Sequence, residues 1–332
     1  VIQGGISMKE VLMAKGAKKV VEYCAALKPG ERVLIVTDFP QQHVAKIVAE
    51  ACYRITDQVS VISMPPREVD GQQPTQCVVD AMSGADVMFM PVTRSITHAP
   101  AVKAALKRGA RVLSMTAFSD DMYIFGGIEA DFEALAARCK KMGEIWTQGK
   151  KVHLTTPGGT DFYADITDRP GNAHTGMARN PGEFTTCPDI ESSVSPVTGS
   201  SEGIIVADAS IPYFEIGVLD EPVKFTVEKG KVIKIEGGRQ AQKVKYMMDK
   251  QHNEAVYNIA QIAVGLNPHC RICGLDLEDE GTYGTAHIGI GTSTLIGGEV
   301  LAPMHFDGLM YSQTLEIDGE TIFKDGEAVY KY

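Results

Sequence analysis

Residues 32–38 read RVLIVTD, and the fold turns on that run. Consecutive apolar side chains leave no alternation to divide between core and solvent, which is the pattern of a strand buried on both faces of a parallel sheet. Ahead of it, Val11, Leu12, Val20, Val21, Cys24 and Leu27 recur at helical spacing, and KPGE at 28–31 closes that helix. Behind it, a helix is predicted over about Gln42–Tyr53 and a second strand in QVSVISM at 58–64. A helix near Thr75–Met82 leads to a third strand in ADVMFMP, and one over about Ala99–Arg108 to a fourth in ARVLSM. Strands alternating with helices across short links predict a parallel sheet covered by helices on both faces.

From about Lys150 the character changes. After an amphipathic helix over Ile128–Gln148, short alternating runs between Gly, Pro and Asp turns replace helical periodicity, as in KVHLTT, TDFYADI and GIIVADASI. VKFTVEKGKVIKIEGG at 223–238 reads as a hairpin with a Lys-Gly turn. The expectation is an α/β chain. Residues 8–148 form a Rossmann-like parallel-sheet domain, and residues 149–332 a mostly β, α+β domain that carries the metal site.

The chain has 332 residues, 44% hydrophobic and 22% charged, within the ordinary range of globular proteins. A net charge of −10 argues against nucleic acid as a partner, because phosphate binding needs a basic surface. No apolar run reaches membrane-spanning length, no signal-peptide pattern opens the sequence, and the seven scattered cysteines make no disulfide framework. A cytoplasmic protein acting on a small molecule is expected, with no membrane partner.

No glycine-rich phosphate fingerprint follows the first strand, so a dinucleotide site is not expected. PVTRSITHAP, after the third strand, is more informative. Ligands of open parallel sheets bind beyond the carboxyl ends of strands, so Arg94, Thr97 and His98 stand where a substrate group could be held. The alternative is a polar loop that caps the next helix.

GTAHIGIGTSTLIGGEVLAPMHFD, residues 284–307, carries the strongest chemical signal. Alternation along GTAHIGIG puts His287, Gly289 and Gly291 on one face of a strand and Ile288 and Ile290 on the other. The same period in APMHFD puts His305 and Asp307 together, with Met304 and Phe306 facing the core. A hairpin between the two segments would join two imidazoles and a carboxylate, the ligand chemistry of a divalent metal. The lone CxxC of Cys270 and Cys273 is too little for a zinc ribbon. His153 and His174 lack partners at readable spacing, His252 falls in a solvated loop, and the acidic run in LDLEDEGTYG is expected to be a solvated turn.

The ordered set CPDIESSVSP, NIAQIAVGLNP, GTAHIGIG and MHFD resembles the metallo-aminopeptidases of the thermophilic type, aminopeptidases T and S and their leucyl aminopeptidase-like relatives. The resemblance covers nearly the whole chain. It implies metal ligands at Glu191, Gln261, His287, His305 and Asp307, and a homodimer. Two departures stand out. Gln261 replaces a family glutamate that helps to hold two ions, and Thr292–Thr294 stand where the family has a tyrosine. One ion is therefore expected.

VEKGKVIKIEGG, VGLNP and the final HxD are also similar to the 2,5-dihydroxypyridine dioxygenases. Those enzymes hold Fe(II) with a histidine at the position of Gln261 plus the HxD pair, and His287 could stand in for that histidine here. The leading expectation is a zinc-dependent hydrolase of a C–N bond in a small amide-like substrate, independent of oxygen. The ion would activate a water, with Glu183 or His98 as general base. The alternative is Fe(II)-dependent cleavage of a hydroxylated pyridine ring.

Overall fold

The computed structural model describes residues 8–97, 99–294 and 296–331. Its contacts divide the chain into two compact units. The first runs to Phe132 and takes back Gly176–Pro188; the second holds Glu133–Thr175 and the chain from Asp189 onward.

In the first unit the RVLIVTD run becomes the strand Val33–Asp38, buried along its whole length. It pairs in parallel with Val59–Met64 on one side and Val87–Met90 on the other, and Arg111–Ser114 follows. A fifth parallel strand, Phe184–Thr186, comes from the returning segment and lies beside Arg111–Ser114. Leu34, Val36, Met88, Met90 and Val112 form one core with Val78, Met82, Val102 and Ala105 of the helices Gln76–Met82 and Pro100–Lys107. The helix Gln42–Tyr53 buries Val44, Ala45, Ile47, Val48 and Cys52, a stripe at helical spacing that lies outside that core cluster. The predicted α/β layer is what forms.

The second unit contains the helix residues from Glu133 to Gln148 and two large antiparallel sheets. One has eight strands, and the hairpin Val223–Glu228 and Lys231–Glu236 lies at its edge. Lys229 and Gly230 both have positive φ, 49° and 73°, as the mirror-image turn of a two-residue hairpin requires. The other sheet has five strands in the order His305–Tyr311, Thr285–Gly291, Ile259–Gly265, Glu191–Val194 and Gly171–His174. Its back packs on the eight-stranded sheet, where the Phe306 and Phe225 rings stand 6.4 Å apart. That packing leaves the front face to carry chemistry. Among the described residues no helix is long and apolar enough to cross a membrane.

Candidate metal centre

Register assembles the front face. Gly289 stands opposite Gln261 on one side and Asp307 on the other, His287 stands opposite Ala263 and Leu309, and Gly291 opposite His305. Glu191 stands opposite Gly265 and His174. Directly opposed residues of antiparallel strands share a face, and so do residues two apart. Glu191, Gln261, His287, His305 and Asp307 therefore converge on one side of the sheet. Glycine at 289 is a steric requirement: a Cβ there would come within 2.8 Å of His305 Cε1 and 2.9 Å of its Nε2. The His305 ring lies back over that glycine.

The distances make this a cluster. His287 Nε2 is 2.9 Å from Glu191 Oε2 and 4.0 Å from Asp307 Oδ1. His305 Nε2 is 3.4 Å from Asp307 Oδ2, and its Nδ1 is 2.8 Å from the Thr292 carbonyl oxygen. Gln261 Nε2 donates to Glu191 Oε1 at 3.4 Å, and His174 Nδ1 lies 3.2 Å from the same oxygen. His287, Asp307, Glu191 and Gln261 are all at most 5% exposed.

Within this buried cluster Glu191 Oε2, both nitrogens of His287 and Asp307 Oδ1 make no hydrogen bond. The His287–Glu191 contact is close without being aligned as one. A buried polar atom without a partner costs free energy, more so when it is charged. Three of them, Glu191 Oε2, His287 Nε2 and Asp307 Oδ1, lie close together and make a donor set that fits a cation. Two trios of ligand atoms lie within 4.8 Å of one another, Glu191–Glu280–His287 and His174–Asp189–Glu191, and Glu191 belongs to both. Imidazole nitrogens with carboxylate oxygens suit a divalent transition metal.

The fields of these groups oppose their burial. Burial acts to raise the Glu191 carboxyl, but His287 and His174 outweigh it and hold that carboxyl well below the usual range. Asp307 is likewise held low by His305 against the effect of burial. Burial acts to lower both ligand histidines. Glu191 nevertheless raises His287, and Asp307 pushes His305 up to about 9. Glu280 behaves in the opposite way: burial, with Asp276, Asp307 and Glu191 nearby, raises its carboxyl well above the carboxylate range. Tyr213 OH lies 3.0 Å from Glu280 Oε1 and 3.3 Å from Asp307 Oδ2.

Several of these residues were not expected here. The acidic run of 276–280 is not a solvated turn: Asp276, Glu278, Asp279 and Glu280 are buried, and Glu280 joins the cluster. His174 has a partner after all, in Glu191, because strand pairing brings them face to face. Nothing local in the sequence marks His174, Asp189 or Tyr213 as neighbours of the HxD pair.

Glu183, expected as a general base, belongs to the first unit. Its carboxylate accepts from Arg179 N, Asn180 N and Asn180 Nδ2 at 2.7–2.9 Å and closes its own turn. Thr97 Oγ1 donates to Ser114 Oγ at 3.1 Å. Arg94, half-buried, has no polar partner for its guanidinium among the described residues. His98 lies outside the described residues.

Known proteins place this geometry. A family model described as NicX, 2,5-dihydroxypyridine 5,6-dioxygenase, matches residues 13–330. A 2,5-dihydroxypyridine 5,6-dioxygenase of Pseudomonas putida KT2440 is 24% identical over 306 residues, which is 84% of this chain and 85% of that protein. The solved structure of 2,5-dihydroxypyridine dioxygenase from Pseudomonas putida KT2440 superposes with a TM-score of 0.82 at 19% identity, covering 98% of this chain and 99% of that one. Wild-type AmpT from Thermus thermophilus superposes with a TM-score of 0.71 at 14% identity, covering 97% and 100%.

These matches overturn the zinc hydrolase expectation. The likeness to an aminopeptidase holds at the level of fold, while the family match falls on the dioxygenase branch, and zinc has no support from it. The error has a physical origin. The HxD pair is expected in both branches and could not separate them, and His287 followed the peptidase pattern. Gln261 matches neither the peptidase glutamate nor the dioxygenase histidine; its neutral amide oxygen speaks only against a second cation.

Proposed function

The chain belongs to the NicX family of 2,5-dihydroxypyridine 5,6-dioxygenases, and we propose on that premise that it opens the ring of a hydroxylated pyridine with dioxygen at a mononuclear Fe(II) centre. The observation that carries the reading is the family match over residues 13–330. Support comes from the cluster of buried imidazole and carboxylate atoms that lack hydrogen bonds.

His305, Asp307 and His287 would hold the ion, with Glu191 beside them and Gln261 at the position where the dioxygenases are expected to carry a histidine. Two imidazoles and one carboxylate leave positions open, as in other non-haem Fe(II) oxygenases. Bound there, Fe(II) would activate dioxygen and bind a hydroxyl of the substrate. The chain's own contribution is preparation. Donation from His305 Nδ1 to the Thr292 carbonyl fixes the tautomer, so that Nε2 carries the free lone pair. Glu191, 2.9 Å from His287, supplies a negative charge that would offset part of the ion's own. Burial keeps bulk water from these groups and strengthens every charge interaction among them.

For Arg94 and Thr97 the proposal is substrate binding, supported by their place beyond the carboxyl end of a parallel strand and by the unpaired guanidinium of Arg94 among the described residues. A homodimer is also proposed, and light scattering reads it directly.

The test is oxygen uptake by iron-loaded protein with 2,5-dihydroxypyridine. Both atoms of one O₂ enter the product of a dioxygenase, so uptake should equal substrate consumed, need no external reductant, and stop without oxygen or with zinc in place of iron. Iron-loaded protein that consumes no oxygen with any dihydroxypyridine would refute the reading.

A further inference from the structure

Beside the strand that carries His305 and Asp307 lies a small hairpin whose purpose the ligand set does not explain. Ser210–Ile211 pairs with Gly217–Val218 in antiparallel register, and Ala209 N donates to the Leu309 carbonyl at 3.1 Å. The hairpin is thus tied to the edge of the site sheet next to the HxD pair. Its loop is 212–216. Phe214 and Glu215, neither of them glycine, both take left-handed backbone, with φ of 56° and 55°. Two such residues in succession cost conformational energy and persist only where their surroundings impose them.

What the loop achieves is visible in its two aromatic side chains. Phe214 packs against Phe306, the residue between the two ligands, with ring centroids 5.2 Å apart. Tyr213 sends its hydroxyl to Asp307 Oδ2 at 3.3 Å and to Glu280 Oε1 at 3.0 Å. Ring packing by Phe214 and the pairing of the short strands already hold the loop, so the phenolic oxygen is not needed for that. It faces two buried carboxylates, one of them in the ligand set.

We propose that Tyr213 is a positioning residue for the metal centre: its hydroxyl fixes the rotation of the Asp307 carboxylate. Oδ2 is held on the side of His305 Nε2, 3.4 Å away, and Oδ1, which makes no hydrogen bond, is turned toward His287. A carboxylate free to rotate would present its two oxygens indifferently and would lose rotational freedom on binding an ion. One held in place has lost it during folding. The inference rests on the assignment of Asp307 to the metal centre, and it deepens that reading by adding a residue outside the ligands that sets how one of them is aimed.

The experiment compares wild-type protein with Tyr213→Phe, which keeps the ring and removes only the hydroxyl, using Co(II) as the probe. Tyr257→Phe serves as the control, because Tyr257 pairs with Asp249 on the surface outside the site. Outer hydrogen bonds to metal ligands are typically worth about tenfold to a hundredfold in affinity. Tyr213→Phe should bind Co(II) about tenfold or more weakly and shift its visible d–d bands, while the metal-free variant keeps the wild-type circular-dichroism spectrum. Tyr257→Phe should leave affinity and bands alone.

A Tyr213→Phe protein with wild-type affinity and superimposable bands would overturn the proposal, and so would a wild type that binds no Co(II). Failure of the dioxygenase reading is a separate result. Iron-loaded wild type that consumes no oxygen would remove that reading while a Tyr213 effect on Co(II) still stood. Normal oxygen uptake with no Tyr213 effect would remove only the positioning role.

Discussion

His287 Nε2 and Glu191 Oε2 lie 2.9 Å apart in the interior of the second unit, yet the two atoms are not aligned as donor and acceptor. An ordinary buried ion pair would turn to make the hydrogen bond that offsets its desolvation. Instead, Glu191, His287 and Glu280 bring one ligand atom each within 4.8 Å of one another. That is how ligands stand when they are arranged for a cation rather than for one another.

Glu191→Gln should therefore weaken the site in two ways. The amide cannot offset the charge of a divalent ion, and it leaves His287 buried beside a neutral neighbour. Co(II) affinity should fall by an order of magnitude or more, and the metal-free protein should lose about 2 kcal/mol, as for a buried group deprived of its charged partner. Titration with Co(II) and chemical denaturation at neutral pH read the two effects. Wild-type values in both would mean that the pair plays no part in holding metal.

Gly289→Ala tests the space over which His305 lies. The added methyl would stand 2.7 Å from Gln261 Cβ and 2.9 Å from His305 Nε2, closer than real Cβ atoms come. The His305 ring must tilt away, and the cost falls on ligand geometry more than on the ladder, since alanine pairs within a strand as glycine does. Metal affinity should drop by about tenfold or more, on the scale of a disturbed ligand shell, with secondary structure by circular dichroism unchanged. Retention of full affinity would show that the ring is not fixed by that contact.

The parts of this design that could be read without the structure follow from local rules. RVLIVTD announced a strand buried on both faces, and the alternation in GTAHIGIG and MHFD placed His287, His305 and Asp307 on one face before their pairing was known. Long-range pairing leaves no such trace. Phe184–Thr186 joins the parallel sheet some seventy positions after its neighbour Arg111–Ser114, and no property of FTT announces it. The carboxylates of 276–280 misled because four acidic residues in five positions are usually solvated. Their burial depends on packing that only the tertiary fold supplies. Glu191 and Gln261 were legible only through family resemblance, since neither stands in a metal-ligand spacing of its own.

Gln261→Glu should change how many ions the face holds. Gln261 donates to Glu191 at 3.4 Å, so a glutamate there would set two carboxylates side by side in a buried site. Their repulsion should destabilise the metal-free protein and be relieved by a second cation. Elemental analysis of the variant dialysed against raised Co(II) should show about two ions per chain against one in wild type. One ion in both proteins would mean that the side chain at 261 does not limit the count.

The last expectation concerns pH, and its sign follows from His305. Asp307 pushes this imidazole up to about 9 although burial works against it, from an ordinary value near 6.5. In the metal-free protein the favourable interaction is with the protonated ring. Its contribution to stability is complete below about 6.5 and is lost as pH rises through about 9. Metal needs the neutral ring, so an incoming ion must displace that proton. Apparent Co(II) affinity should therefore rise from pH 6 toward 9, by up to about tenfold per unit for each proton displaced, and then level off. Calorimetry at pH 7 in two buffers of different ionisation enthalpy counts the protons released. At least one per ion is expected in wild type. Asp307→Asn, which removes the group that raises His305, should release fewer as well as bind more weakly. A flat affinity profile with no proton release would show that His305 is already neutral when the ion arrives, and would separate it from the group that Asp307 holds in the protonated form.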